Sequence, residues 1–240
     1  NTLKVFVVTS VQLALTPLLM KKMNDPDNKR FYSKVLTYFS FGLMFCALGL
    51  NLFSREGIVW VTTNPDYIEA LYVIPFVTYA IFFSMMRECC MIGLQVMKKT
   101  KIISYIIVGI TVLNFFLNML LVPSMGMYGA ALSTMIVQVI SWLACYVFAQ
   151  KYYAIPYELT KVWKVLVIGT LLYFVGTVFN ETAIWISVLV KLVILVCYPF
   201  LLYKWHFYDK NEENNLKGAW NKWSDLKRLK ENVKNVKFRM

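Results

Sequence analysis

Apolar residues fall along this chain in seven long segments separated by short polar ones. The segments are roughly 2–20, 35–54, 67–97, 102–122, 127–149, 162–180 and 183–203. Each is long enough, at about 1.5 Å of rise per helical residue, to cross a hydrocarbon layer of about 30 Å. The pattern predicts an all-α membrane protein with seven transmembrane helices. The third segment is about 30 residues long and is expected to tilt or to project past the bilayer. Pro17, Pro75 and Pro199 lie inside predicted spans, where prolines mark bends. Gly126, Gly129, Ala130 and Ala131 open the fifth span with small residues that permit close helix contact.

The polar connections alternate in character. Residues 21–34 hold five basic side chains, 98–101 hold three, and 150–164 hold Lys151, Lys161 and Lys164. The opposite set is nearly bare of basic residues, with only Arg55 in 55–66 and none in 123–126 or 181–182. Positive loops stay on the cytoplasmic side. The first span is therefore expected to run outside to inside, and the C-terminus to be cytoplasmic. Segment 2–20 has no small-residue cleavage site, and basic residues stand at both of its ends, Lys4 near the start and Lys21 and Lys22 after it. It is expected to be a genuine span rather than a signal peptide. A chain that opens on Asn1 at the edge of a span is expected to be part of a longer one.

Composition agrees with the pattern. Hydrophobic residues make up 59% of the 240 and charged residues 16%, against about 45–50% and about 25% in soluble domains. A soluble enzyme, a disordered chain and a disulfide scaffold are excluded. The net charge of +12 would suggest nucleic acid in a soluble protein. Here ten of the 25 basic residues lie in 204–240, and no nucleic-acid motif accompanies them. In that tail Leu216, Trp220, Trp223, Leu226, Val233 and Val236 recur mostly three or four apart among lysines and arginines. The tail reads either as a basic amphipathic helix on an anionic leaflet or as a partly disordered basic segment. Cys46, Cys89, Cys90, Cys145 and Cys197 lie in apolar stretches without a CxxC pair, so neither a metal site nor a cofactor is expected.

Polar side chains in the spans form stripes. Thr9, Gln12 and Thr16 share a face, as do Ser104, Thr111, Asn114 and Asn118, and Thr134, Gln138, Ser141 and Cys145. Such stripes either line a hydrated cavity or hydrogen-bond between helices. Two cations carry more weight. Arg87 and Lys191 both fall near the middle of a span, where a charge costs at least about 2.5 kcal/mol. A cavity, an acidic partner, an anionic ligand or snorkelling must compensate. Glu88 points about 100° from Arg87 on a helix and is expected to be a poor direct partner. Ser187 lies one turn before Lys191.

The run NFFLNMLLVPSMGMYGAALSTMIVQVISWLACYVF (114–148), with NPDYIEALYVIP (64–75) and the basic KKT at 98–100, resembles the C-terminal half of bacterial polysaccharide flippases. These are the O-antigen and capsule exporters of the multidrug/oligosaccharidyl-lipid/polysaccharide superfamily. The resemblance implies half of a two-bundle, pseudo-symmetric transporter, with a transporter bundle at 1–149, an additional helix pair at 150–203 and a cytoplasmic tail at 204–240. It also implies no catalysis. The substrate would be an undecaprenyl-pyrophosphate-linked oligosaccharide flipped by alternating access across the bacterial cytoplasmic membrane. The stripes and the two mid-span cations make Arg87, Lys191, Gln12, Asn114, Asn118 and Gln138 the candidate substrate contacts; the resemblance implies a cationic cavity that Arg87 matches best and puts Lys191 at a groove of the last helix pair. Implied partners are membrane lipids, the missing N-terminal half, a polysaccharide polymerase and glycosyltransferases.

Three alternatives differ in class. A cation-coupled drug exporter of the same superfamily would favour buried carboxylates, and the spans show Arg87 and Lys191 against Glu88. A membrane-embedded enzyme would want histidine or paired carboxylates, and the one histidine, His206, has no acidic partner at a telling spacing. A non-transporting scaffold would have a dry interior.

Overall fold

The computed structural model describes residues 27–61, 71–181, 184–205 and 207–208, together with Lys21 and Asp25. Among these residues the secondary structure is helical, with no strand. Five helices are long and apolar enough to cross a membrane: α1 (Asn28–Val61), α2 (Ile74–Val96), α3 (Thr100–Tyr152), α4 (Leu159–Val178) and α5 (Ile184–Lys204). A 3-10 turn, Phe179–Glu181, follows α4. The predicted first span, with Gln12 and Pro17, and nearly all of the predicted basic tail lie outside the described residues.

Three boundaries differ from the sequence reading, the first being that helix α1 begins at Asn28, seven residues before the predicted span. Helix α1 does not stop at residue 54 but continues to Val61, 34 residues in all, or about 51 Å. Arg55 and Glu56 therefore sit on a helix rather than in a connection. The continuation keeps the backbone hydrogen-bonded, and the Glu56 charge finds a partner described below. Helix α2 begins only at Ile74, with Pro75 in its first turn. A proline there forfeits no intrahelical bond, so Pro75 starts the helix instead of bending its interior. The 23 residues of α2 span about 34 Å, and the steep tilt expected of a 30-residue span is not needed.

Helix α3 contains the fourth and fifth predicted spans as two limbs, 100–125 and 127–152. Gly126 separates them with φ 55° and ψ −130°, a conformation that costs an L side chain strain. The limbs fold back on each other. Ser133 Oγ donates to Asn118 Oδ1 at 2.7 Å, whereas an uninterrupted helix would hold these residues about 22 Å apart. Gly129 lies directly against the opposite limb, and a Cβ there would fall 2.2 Å from the Leu121 carbonyl oxygen.

Helix α1 packs against α2 and also against α4, while α2 packs against α3. The α1–α4 seam is closed at Gly169 and Gly176, seven residues apart, where an added Cβ would lie 2.1 Å from the Met44 or Leu52 side chain. The missing side chains leave room for Met44 and Leu52 to pack directly on the α4 backbone. Thr78 Oγ1 of α2 donates to Asn51 Oδ1 of α1 at 3.0 Å. Tyr79 and Thr170 hydroxyls meet at 2.7 Å, and the Tyr198 hydroxyl of α5 donates to the Phe41 carbonyl at 3.2 Å. Near the start of α1, Tyr32, Ile92 and Ile155 form a small apolar cluster. Burial pushes the Tyr157 phenol in the α3–α4 connection well above its ordinary range; its hydroxyl reaches the Cys89 carbonyl at 3.4 Å.

The chain forms two compact units, Asn1–Tyr198 and Pro199–Met240. In the second, the described residues finish α5 and close a turn in which the Phe207 N–H donates to the Leu202 carbonyl at 3.1 Å. The rings of Phe207 and Tyr208 meet edge to face, centroids 5.2 Å apart.

Candidate functional site

Helix α2 is the most enclosed of the five spans, and Arg87 lies near its middle. Its side chain retains 20% exposure. The Arg87 Nη2 group is 2.5 Å from Glu88 Oε1, which corrects the expectation that Glu88 is a poor partner. The 100° offset describes the directions in which the two side chains leave the helix. A guanidinium on four rotatable bonds curls around the helix and closes that gap. The Nη1 group lies 3.4 Å from Ser141 Oγ on the second limb of α3. Arg87 Nε is buried without an acceptor, and so are Gln138 Oε1 without a donor and Trp142 Nε1 without an acceptor. Gln138, Ser141 and Trp142 lie within about one turn of one another on that limb. A guanidinium with an open donor thus faces a limb that carries further open polar atoms.

Lys191 is wholly buried. Its Nζ lies 2.5 Å from Glu56 Oε1, and Ser187 Oγ donates to the same oxygen at 2.7 Å. Ser187 and Lys191 are one helical turn apart, so α5 presents both to α1 on a single face. Glu56 Oε2 is buried with no partner. Glu56 escaped the sequence reading because it follows Arg55 at the expected end of a span. The signal that could have found it was the cost of Lys191, which demands an acid at its own depth. Among the described residues the charges at span depth then stand at two cations, Arg87 and Lys191, against two carboxylates, Glu88 and Glu56, rather than two against one. The sign of the buried charge therefore does not separate an anion carrier from a drug exporter.

The asparagines serve the hairpin. Asn118 Nδ2 donates to the Asn114 carbonyl at 2.9 Å and also to Asn114 Oδ1, while its Oδ1 accepts from Ser133. Ser104 and Thr111 are exposed and bond their own helix, to the carbonyls of Thr100 at 3.1 Å and Ile107 at 2.9 Å. Of the predicted site residues, the structure brings Arg87 next to the limb that carries Gln138, pairs Asn114 with Asn118, and sets Lys191 apart on α5. Beside Lys191 a cavity of about 600 Å³ opens between α1, the approach to α2, α4 and α5. Among the described residues no cluster of three or more metal-ligating side chains occurs.

No protein-family model matches the chain, and no curated protein matches it. Among solved structures it is similar to the lipid II flippase MurJ in an inward closed conformation, with a TM-score of 0.62 and 20% sequence identity. The likeness covers 79% of this chain and 42% of that one, so this chain spans less than half of that structure. At this identity the likeness shows the fold. The chain is an integral membrane protein by its long apolar helices, and its fold is the one seen in that structure.

Proposed function

We propose that this chain is part of a transporter that flips an undecaprenyl-pyrophosphate-linked oligosaccharide across a bacterial cytoplasmic membrane by alternating access. The observation that carries the reading is the fold shared with a lipid flippase over most of the chain. The chemistry on α2 supports it. A diphosphate cannot enter hydrocarbon unaided, because desolvating its charge is too costly. Arg87 offers a planar, permanently charged donor set at mid-helix depth. In the empty carrier Glu88 occupies that guanidinium. A phosphate displaces Glu88 and takes up Nε as well, while Gln138 supplies a further polar contact from α3. Rocking about a site at this depth exposes it first to one side and then to the other. Asn114 and Asn118 hold the α3 hairpin, and Lys191 fixes α5 against α1. The carrier lipid tail stays in the bilayer, and no covalent step is required. The C-terminus faces the cytoplasm in this arrangement. An upstream half of the transporter, a polysaccharide polymerase and glycosyltransferases are its expected partners.

Arg87→Ala in the producing cell tests this. Surface polysaccharide should be lost while the amount of protein in the membrane is unchanged, and Arg87→Lys should restore part of it. Full retention of polysaccharide in Arg87→Ala removes Arg87 from the site. A second reading, the cation-coupled exporter, rests on the two carboxylates, Glu88 and Glu56, that stand beside the two cations. Glu88→Gln divides the two. Flipping by Arg87 survives loss of the competing carboxylate, whereas coupling through Glu88 is abolished.

A further inference from the structure

The cavity beside Lys191 is separate from Arg87. It opens at the end of α1 remote from Asn28 and above the start of α2, whereas Arg87 lies 13 residues into α2, about 20 Å along the helix. Its walls are rich in donors. Asn51 and Arg55 lie one turn apart on α1 and both line it, joined by Lys191 from α5 and Asn180 from the turn after α4. The Asn51 carbonyl oxygen is occupied by Thr78, which leaves the amide N–H groups to face a guest. Ser54 and Thr177 spend their hydroxyl protons on backbone carbonyls of their own helices. The Lys191 charge is met by Glu56, and Arg55 is the other cation among the described residues that line the cavity. Two tyrosines complete the wall, Tyr173 and the 66% exposed Tyr72. Tyrosines with one wet and one apolar edge suit the depth at which lipid headgroups lie.

We propose that this cavity binds the phosphate of a lipid headgroup, with Arg55 as its principal charge and the Asn51 and Asn180 amides as further donors. Among the described residues that line the cavity, the side-chain donors of Asn51, Arg55 and Asn180 favour an anion over a neutral sugar. The volume lies in the range of small-molecule pockets and exceeds what a single ion needs. The phosphate comes either from a bilayer glycerophospholipid or from a polyprenyl carrier, and the chemistry at Arg55 is the same for both.

Native mass spectrometry of the full chain, released from nanodiscs, tests the proposal with four probes: phosphatidylglycerol, undecaprenyl phosphate, diacylglycerol and inorganic phosphate. The wild type should retain at least one of the two phospho-lipids and should not retain diacylglycerol. Retention of phosphatidylglycerol alone makes the guest a bilayer lipid, and retention of undecaprenyl phosphate alone makes it a carrier. Arg55→Gln should weaken the retained lipid by at least about tenfold, as expected when a charge-assisted hydrogen bond is lost. Arg55 is only partly buried and carries no packing seam, and an unchanged unfolding temperature for Arg55→Gln confirms that the fold is intact. Asn180→Ala, away from the α1–α5 ion pair, should weaken the same lipid to a smaller degree. Equal binding by wild type and Arg55→Gln, equal retention of diacylglycerol, or retention of inorganic phosphate alone would overturn the assignment.

Discussion

Lys191 shows what a buried charge demands. Its ammonium group is tolerated at zero exposure because Glu56 of α1 meets it, and Ser187 of α5 donates to the same Glu56 oxygen. Lys191→Leu leaves Glu56 buried without its cation and should destabilise the protein by about 3–5 kcal/mol. Pairing it with Glu56→Gln should recover most of that loss, because the uncompensated carboxylate is gone. Thermal unfolding in detergent reads both variants, and a double variant no more stable than the single one would contradict the account. The need of Lys191 for a partner was legible from its depth in the span. The identity of the partner was not, because 135 residues separate the two and spacing along one helix says nothing about a neighbour. Glu88 teaches the complementary lesson, since the angle at which side chains leave a helix does not fix where a guanidinium ends.

At the scale of elements, the α3 hairpin depends on two glycines for different reasons. Gly126 supplies the positive φ that turns the chain, and Gly129 supplies the gap into which the Leu121 backbone fits. Gly129→Ala places a methyl group against a backbone carbonyl that cannot step aside. It should cost about 1–3 kcal/mol and should separate Asn118 from Ser133, a change readable by crosslinking cysteines placed at 118 and 133. The turn itself was legible, since Pro123 to Gly126 interrupts the apolar pattern. The polar stripe on the first limb was legible too, but its role was not. Ser133 becomes the partner of Asn118 only in the register that Gly126 sets. The length of α1 was misread because Arg55 and Glu56 look like a loop when charge alone ends a span, and helical hydrogen bonding carried the element another two turns.

At the scale of the molecule, α1 is the common neighbour of α2 and α4, and its seam with α4 is as close as Gly169 and Gly176 allow. Gly176→Val should push the seam apart against Leu52 and lower stability by about 1–3 kcal/mol, measured by the same unfolding assay. The spacing of these glycines by two helical turns was present in the sequence, but only the packed helices reveal which partner they admit. Arg87 of α2 meets the second limb of α3, where open donors and acceptors gather. In the proposed function this guanidinium carries a lipid-linked diphosphate through the membrane. Inside-out vesicles from producing cells, loaded with undecaprenyl-pyrophosphate-linked oligosaccharide, measure that passage directly. Wild-type vesicles should move the oligosaccharide into the lumen, and Arg87→Ala vesicles with equal protein content should do so at least about tenfold more slowly. Equal rates in the two preparations would contradict the account.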